Sequence, residues 1–269
     1  MPHKPASLKG TASVNGLNIH YSMAGAGPDV IFIHGWASSS KMWSGLMTHL
    51  AADYRCWSLD LPGFGDSDKP TPSWYSIPNY TSMVAEFASL HEMGPLRLIG
   101  HSMGGLITLD FGARRAQQVE RLVAINPVVT GRARLRPFAR PGYSHKVLHW
   151  ALHLSPPVRQ AIVEHPLGHS VRRLRPIQRR TEEFFQSTAD SLVSSGRAVV
   201  NYDLTPLLGR ITAPTLVIVG DRDLNVSSNE GRFAAAHIAA ARLQVMHGGH
   251  LVTDDRPAEV LQLLQRHLA

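Results

Sequence analysis

The stretch Leu96-Arg97-Leu98-Ile99-Gly100-His101-Ser102-Met103-Gly104-Gly105 decides how the rest of the chain is read. Leu96–Gly100 is an apolar run of strand length, set off by the turn residues Gly94-Pro95. A helical pattern runs over Met103–Ala116. At the junction stands Gly100-His101-Ser102-Met103-Gly104, a G-x-S-x-G sequence. Five residues alone are a thin signal, but the strand–turn–helix setting makes them specific. A serine on so tight a turn projects its hydroxyl clear of the sheet. The glycines remove side chains where strand and helix converge, and the helix start offers free N–H groups to a developing oxyanion.

A serine hydroxyl attacks only when a base takes its proton, and a histidine steadied by a carboxylate is the usual device. On this kind of turn the chain order is serine, acid, histidine. Val219-Gly220-Asp221-Arg222-Asp223 follows the apolar run Thr215–Val219, and Gly248-Gly249-His250 follows Leu243–Met246. Both lie at C-terminal strand ends, where ligands gather in open α/β sheets. His250 is the expected base, with His247, which abuts the strand, as its competitor. Asp223 is the expected acid and Asp221 the alternative. The unused carboxylate is expected to order its loop, paired with Arg222.

Working outward, Val30–Ile33, Arg55–Asp60 and Leu122–Asn126 read as further strands. Tyr80–Glu92, Ser228–Ala240 and Pro257–Leu268 read as helices, the last with proline at its first position. Alternating strands and helices predict a mostly parallel sheet flanked by helices. Ser13–Tyr21 reads as an antiparallel hairpin ahead of it.

The chain has 269 residues and a formal net charge of +7, and the charge is not evenly spread. Residues 131–180 hold eleven Lys and Arg against the single acid Glu164, a net +10, and the remainder is −3. Six prolines cut the same segment into short helices and turns. The reading is a core of residues 1–127 and 205–269 and a basic helical cap of residues 128–204. The cap is inserted between the strand before Asn126 and the strand after Pro214. The arginines have three readings: a solvated face, a surface for an acidic partner or substrate, or a nucleic-acid or membrane contact. No DNA-binding motif or interleaved aromatic stripe accompanies them, so no nucleic acid is expected.

Composition narrows the rest. Hydrophobic residues are 43% and charged residues 17%, enough for a large core and too little charge for a disordered chain. A single cysteine, Cys56, excludes an internal disulfide and a cysteine-rich zinc site, and reads as a small buried hydrophobe. No transmembrane run and no secretory signal are visible, which makes a cytoplasmic enzyme the default. His145, His149 and His153 recur every four residues. Without an accompanying carboxylate or thiol they read as a solvated face, and no metal is expected. His34, His101, Phe64 and Trp150 are expected around the substrate pocket. Trp43 reads equally as pocket wall or core.

The motifs together resemble the α/β-hydrolase superfamily. His34-Gly35-Trp36, Asp60-Leu61-Pro62-Gly63-Phe64-Gly65-Asp66-Ser67, Gly100–Gly105, Gly220–Asp223 and Gly249-His250 match the superfamily's pattern across nearly the whole chain. The resemblance implies the α/β-hydrolase fold and favours Asp223, at the end of Gly-x-x-Asp. It also implies an oxyanion hole from the backbone N–H groups of Trp36 and Met103, a cap that sets substrate choice, and no cofactor. Members with an aspartate nucleophile, the epoxide hydrolases and haloalkane dehalogenases, are disfavoured by Ser102. Asn126 stands where some members place the acid, which an amide cannot replace, and is read as structural or pocket-lining. Asp60 is read as a turn stabiliser. His34-Gly35-Trp36 and the Asp60–Gly65 segment also resemble the pimeloyl-carrier-protein methyl ester esterases, in which cap arginines meet an acidic carrier protein. The expected activity is a serine carboxylic-ester hydrolase acting through an acyl-enzyme on a small-molecule ester. C–C bond hydrolase, thioesterase, lactonase and cofactor-free perhydrolase chemistries use the same triad. A non-catalytic ligand-binding protein on the same scaffold is the remaining class.

Overall fold

A computed structural model of the chain describes residues 7–131, 143–154 and 175–269. Its frame is an eight-stranded sheet in the order β1-β2-β4-β3-β5-β6-β7-β8. β1 (Leu8–Val14) and β2 (Leu17–Ala24) form an antiparallel hairpin closed by Asn15-Gly16. Both turn residues have positive φ, 51° and 79°, which matches the right-handed twist of the paired strands. The hairpin is longer than the sequence pattern predicts. Lys9 and Thr11 alternate with the inward Ala12 and Val14, so no apolar run marks its start.

β2 pairs antiparallel with β4 (Arg55–Leu59). From there β3 (Asp29–Ile33), β5 (Leu96–His101), β6 (Val119–Ile125), β7 (Thr215–Gly220) and β8 (Ala241–Met246) continue in parallel. Every residue of β3 and β7 is buried, as expected of parallel strands covered on both faces. Around the sheet lie α1 (Ser44–Leu50), α2 (Ile77–Leu90) and α3 (Met103–Arg114). Between β6 and β7 come α4 (Tyr143–Leu152), α5 (Arg175–Phe185) and α6 (Ala189–Val200), and after β7 come α7 (Ser228–His237), α8 (Val252–Asp255) and α9 (Pro257–Leu268).

Two apolar layers sandwich the sheet. Ile31 and Ile33 of β3 pack with α2, α3 and α7, while Val30 and Phe32 pack with α1 and α9. That split follows from the two-residue period of a strand. Trp43 belongs to the second layer, fully buried and tilted against Phe32, and is core rather than pocket wall. Cys56 is buried in β4, where burial pushes its thiol up to about 12. α2 starts three residues before the predicted Tyr80, because Ser76 Oγ accepts the Asn79 N–H at 3.2 Å and Pro78 suits a first turn.

The insert after β6 leaves the core under restraint. The buried Glu230 carboxylate of α7 accepts the Val129 and Thr130 N–H groups at 2.8 and 2.7 Å and the Thr130 hydroxyl at 2.6 Å. Arg132, Arg134, Arg136, Arg140, Arg159, Glu164, Arg172 and Arg173 lie outside the described residues, as do the side chains of His145 and Arg175. His149 on α4 and His153 just after it are exposed, their rings tilted against each other at 4.0 Å between centroids. Among the described residues no helix is long and apolar enough to cross a membrane.

Candidate active site

The C-terminal ends of β3, β5, β6, β7 and β8 bring the site together. Ser102 caps α3 with φ 56° and ψ −113°, a backbone that a non-glycine residue adopts at a cost of about 1–3 kcal/mol. The cap is held from outside, by the Ser102 N–H donating to Ile125 O at 2.9 Å. Close approach explains the flanking glycines. A Cβ on Gly100 would run into Gly104 O, and one on Gly104 into Ile33 O.

His250 follows β8, and its Nδ1 lies 2.6 Å from Asp223 Oδ2. The Asp223 side chain is fully buried and that of His250 is 11% exposed. Asp223 Oδ1 is also engaged, accepting the Asn225 and Val226 N–H groups at 2.8 and 2.9 Å. A carboxylate so occupied keeps Nδ1 of the imidazole as the donor and leaves Nε2 as the basic nitrogen. The two runners-up meet each other. Asp221 Oδ2 lies 3.1 Å from His247 Nδ1, both largely in solvent. Asp221 thus pairs with His247 and not with the expected Arg222. The His247 hydrogen bond, helped by the Gly248 N–H, pulls its carboxyl below the ordinary range.

Asn126 ties the two loops. Its Oδ1 accepts the Gly220 N–H at 2.7 Å, and its Nδ2 donates to His250 O at 2.8 Å and Gly249 O at 3.3 Å. With φ at 45° it occupies the acid position as a structural clamp. His101 adds another tie, its Nε2 donating to His250 O at 2.7 Å. Burial, with His250 and Arg180 nearby, drives the His101 pKa well below its ordinary value, so the ring is neutral.

Ser102, His101 and His250 line one small cleft with Trp36, Arg179 and Arg180. Gly35, Ser38, Met42 and Leu251 complete it, around a cavity of about 20 Å³. His101 is therefore at the site as predicted, and Met103 opens α3 directly behind Ser102. Three expected pocket residues stand elsewhere. His34 is fully buried beneath the cleft, accepting the Leu61 N–H at Nε2 (2.9 Å) and donating from Nδ1 to Gly35 O (2.7 Å). Phe64 is buried edge-on against it, 5.6 Å between centroids. Trp150 is 69% exposed on α4, because Leu148 and Leu152 take the inward stripe and leave it on the far side. Asp60 is the expected loop organiser, its carboxylate accepting the Ser40 and Asp66 N–H groups at 2.7 and 2.9 Å.

The sequence profile of the α/β-hydrolase fold matches residues 28–257. The chain belongs to the α/β-hydrolase family. Among similar proteins, this hydrolase is 27% identical to a pimeloyl-[acyl-carrier protein] methyl ester esterase of Stenotrophomonas maltophilia, over 93% of this chain and 96% of that one. In fold it is similar to an enol-lactonase from Burkholderia xenovorans, with TM-score 0.78, 24% identity and coverage of 96% and 99% of the two chains. An esterase from Exiguobacterium antarcticum superposes with TM-score 0.78 at 22% identity, covering 97% and 99%.

One side of the site could not be anticipated from motifs. α5 lies over it through the adjacent Arg179 and Arg180 and, one turn on, Glu183. Arg179 makes a two-pronged contact with Asp254 at 3.2 and 2.9 Å, Arg180 lines the cleft, and Glu183 accepts the Ser38 and Ser39 hydroxyls at 3.0 and 2.7 Å. Burial raises the Glu183 carboxyl above its ordinary value, against the pull of Ser39 and Arg179. Trp36 Nε1 donates to Leu192 O of α6 at 3.0 Å. Among the described residues, no group of three or more His, Cys, Asp or Glu side chains gathers where it could hold a metal ion.

Proposed function

We propose that this α/β hydrolase cleaves carboxylic esters with Ser102 as nucleophile, His250 as base and Asp223 as its orienting acid. The observation that carries the reading is the buried 2.6 Å contact between His250 Nδ1 and Asp223, beside a serine held at positive φ in the same cleft. His250 Nε2 takes the Ser102 proton as Oγ attacks the carbonyl carbon. The tetrahedral oxyanion is received by the backbone N–H groups of Met103 and Trp36, each such donor contributing about 3 kcal/mol to barrier lowering. His250 then protonates the departing alcohol, and a water activated by the same ring releases the acid. We take the insert between β6 and β7 as the cap, since Arg179 and Arg180 of its helix α5 line the cleft with Ser102. The esterase and lactonase names carried by the relatives support ester chemistry.

A panel of p-nitrophenyl esters tests the reading. The wild type hydrolyses at least one of them, and Ser102→Ala lowers kcat by roughly 10⁴-fold or more. Intact-protein mass spectrometry of the wild type shows an acyl adduct that Ser102→Ala lacks. A wild type inert toward every ester, or a variant equal to it, sinks the proposal.

A further inference from the structure

Arg180 is the charged group in the cleft that nothing else employs. Its neighbour Arg179 is bound to Asp254 and lies 3.6 Å from Glu183. Glu183 is in turn committed to Ser38 and Ser39. Among the described residues, Arg180 has no hydrogen-bond or ion-pair partner, although it is half-buried and lines the same small space as Ser102. A guanidinium carries five donors in a planar fork, and leaving it partly desolvated without an acceptor is unfavourable. Burial accordingly pulls its pKa down, with Glu183 and Asp254 too distant from it for contact.

The rest of the lining points the same way. Among the described cleft-lining residues there is no aspartate or glutamate, and His101 is neutral. Arg179 is already matched by Asp254 and Glu183, so the unmatched positive charge at the cleft is that of Arg180. Trp36, Met42 and Leu251 supply apolar wall to the same cleft. Arg180 and Ser102 line one small cavity, about 20 Å³, which limits the length of chain that can join groups bound at both. A planar fork in the same cavity as a serine hydroxyl fits a carboxylate, which it can grip with two parallel hydrogen bonds.

We propose that the preferred substrates are monoesters of short dicarboxylic acids, with the free carboxylate held by Arg180 and the esterified carbonyl presented to Ser102. The proposal rests on the ester-hydrolase reading above and adds the substrate class. The reaction consumes water and breaks the ester C–O bond. The alcohol leaves with the proton from His250, and the second carboxyl is released as its anion.

Monomethyl succinate and methyl levulinate, equal in length and differing in the charge of the far end, form the test pair. The wild type turns over the anionic ester with a kcat/KM at least tenfold higher. Arg180→Gln cuts that ratio at least tenfold, and Arg180→Lys, which keeps the charge without the fork, restores part of it. Because the readout is a ratio within one protein sample, partial misfolding does not move it. Calorimetric titration of monomethyl succinate into Ser102→Ala, and into Ser102→Ala/Arg180→Gln, gives an answer independent of turnover. Binding at least tenfold weaker in the double variant supports the carboxylate site. A wild-type ratio near one, a ratio unmoved by Arg180→Gln, or equal or absent binding in the two Ser102→Ala proteins overturns it. Loss of all ester turnover with the binding difference intact would refute the hydrolase reading and leave the carboxylate site standing.

Discussion

Two aspartate–histidine pairs hang from the same two strand ends, built from the same residue types three positions or fewer apart. Asp223 and His250 sit inward, at 2.6 Å, with the carboxylate wholly buried and both its oxygens occupied. Asp221 and His247 sit outward, at 3.1 Å, with about half of each side chain in water. Solvent and salt screen the outer pair, and exposed pairs of this kind contribute little to stability. The inner pair orients an imidazole in a place where water cannot compete for it. The two pairs are built of the same groups and differ in their surroundings.

The sharpest way to break this contrast is to remove each histidine in turn. His250→Ala lowers kcat/KM on the best ester by roughly 10⁴-fold, and Asp223→Asn by roughly 10³-fold or more. His247→Ala and Asp221→Asn stay within about threefold, as surface changes do. A large loss in the outer variants would mean that the pairs share the task.

Asn126→Ala tests what keeps the pairs apart. It deletes three hydrogen bonds that join the acid loop to the histidine loop. Leaving buried partners unmatched costs about 1–3 kcal/mol. Thermal unfolding should show a lower Tm together with a fall in kcat. A loss of stability with kcat intact would show that the inner pair needs no clamp.

The smallest effect concerns pH. Burial lowers the pKa of His101 and His34 below 6.5 in the folded chain. The unfolded chain takes up those protons first, so stability falls as pH drops through 6.5, by at most about 1.4 kcal/mol per pH unit for each ring. The outer pair behaves differently. Asp221 is depressed from 3.8, so its share is present above that value and lost only below it. Tm measured from pH 7 to pH 5 should fall less steeply in His101→Gln than in the wild type. Equal slopes would assign the acid sensitivity elsewhere.

The frame and the placement of Ser102, Asp223 and His250 at strand ends are legible in the sequence because local sterics write them there. A serine between two glycines at a strand–helix junction, and an acid and a histidine at later strand ends, need no knowledge of distant contacts. The expected core strands all form, with ends shifted where exposed polar residues such as Lys9 break an apolar pattern. The failures share a cause. Phe64 lies in a loop motif and Trp150 in the insert, but which way such a ring faces is settled by packing. Glu183 is illegible because its partners, Ser38 and Ser39, lie about 144 positions earlier. Nothing in a run of arginines separates Arg179, which is paired, from Arg180, which is not paired among the described residues.

The placement of α5 has a mechanical consequence. Arg179 grips the segment just after His250, and Glu183 grips the segment just after Trp36. Displacing this helix would strip hydrogen bonds from the chain on both sides of Ser102 at once. One helix is thus the common anchor of two loops that lie far apart in the chain and meet only at the cleft.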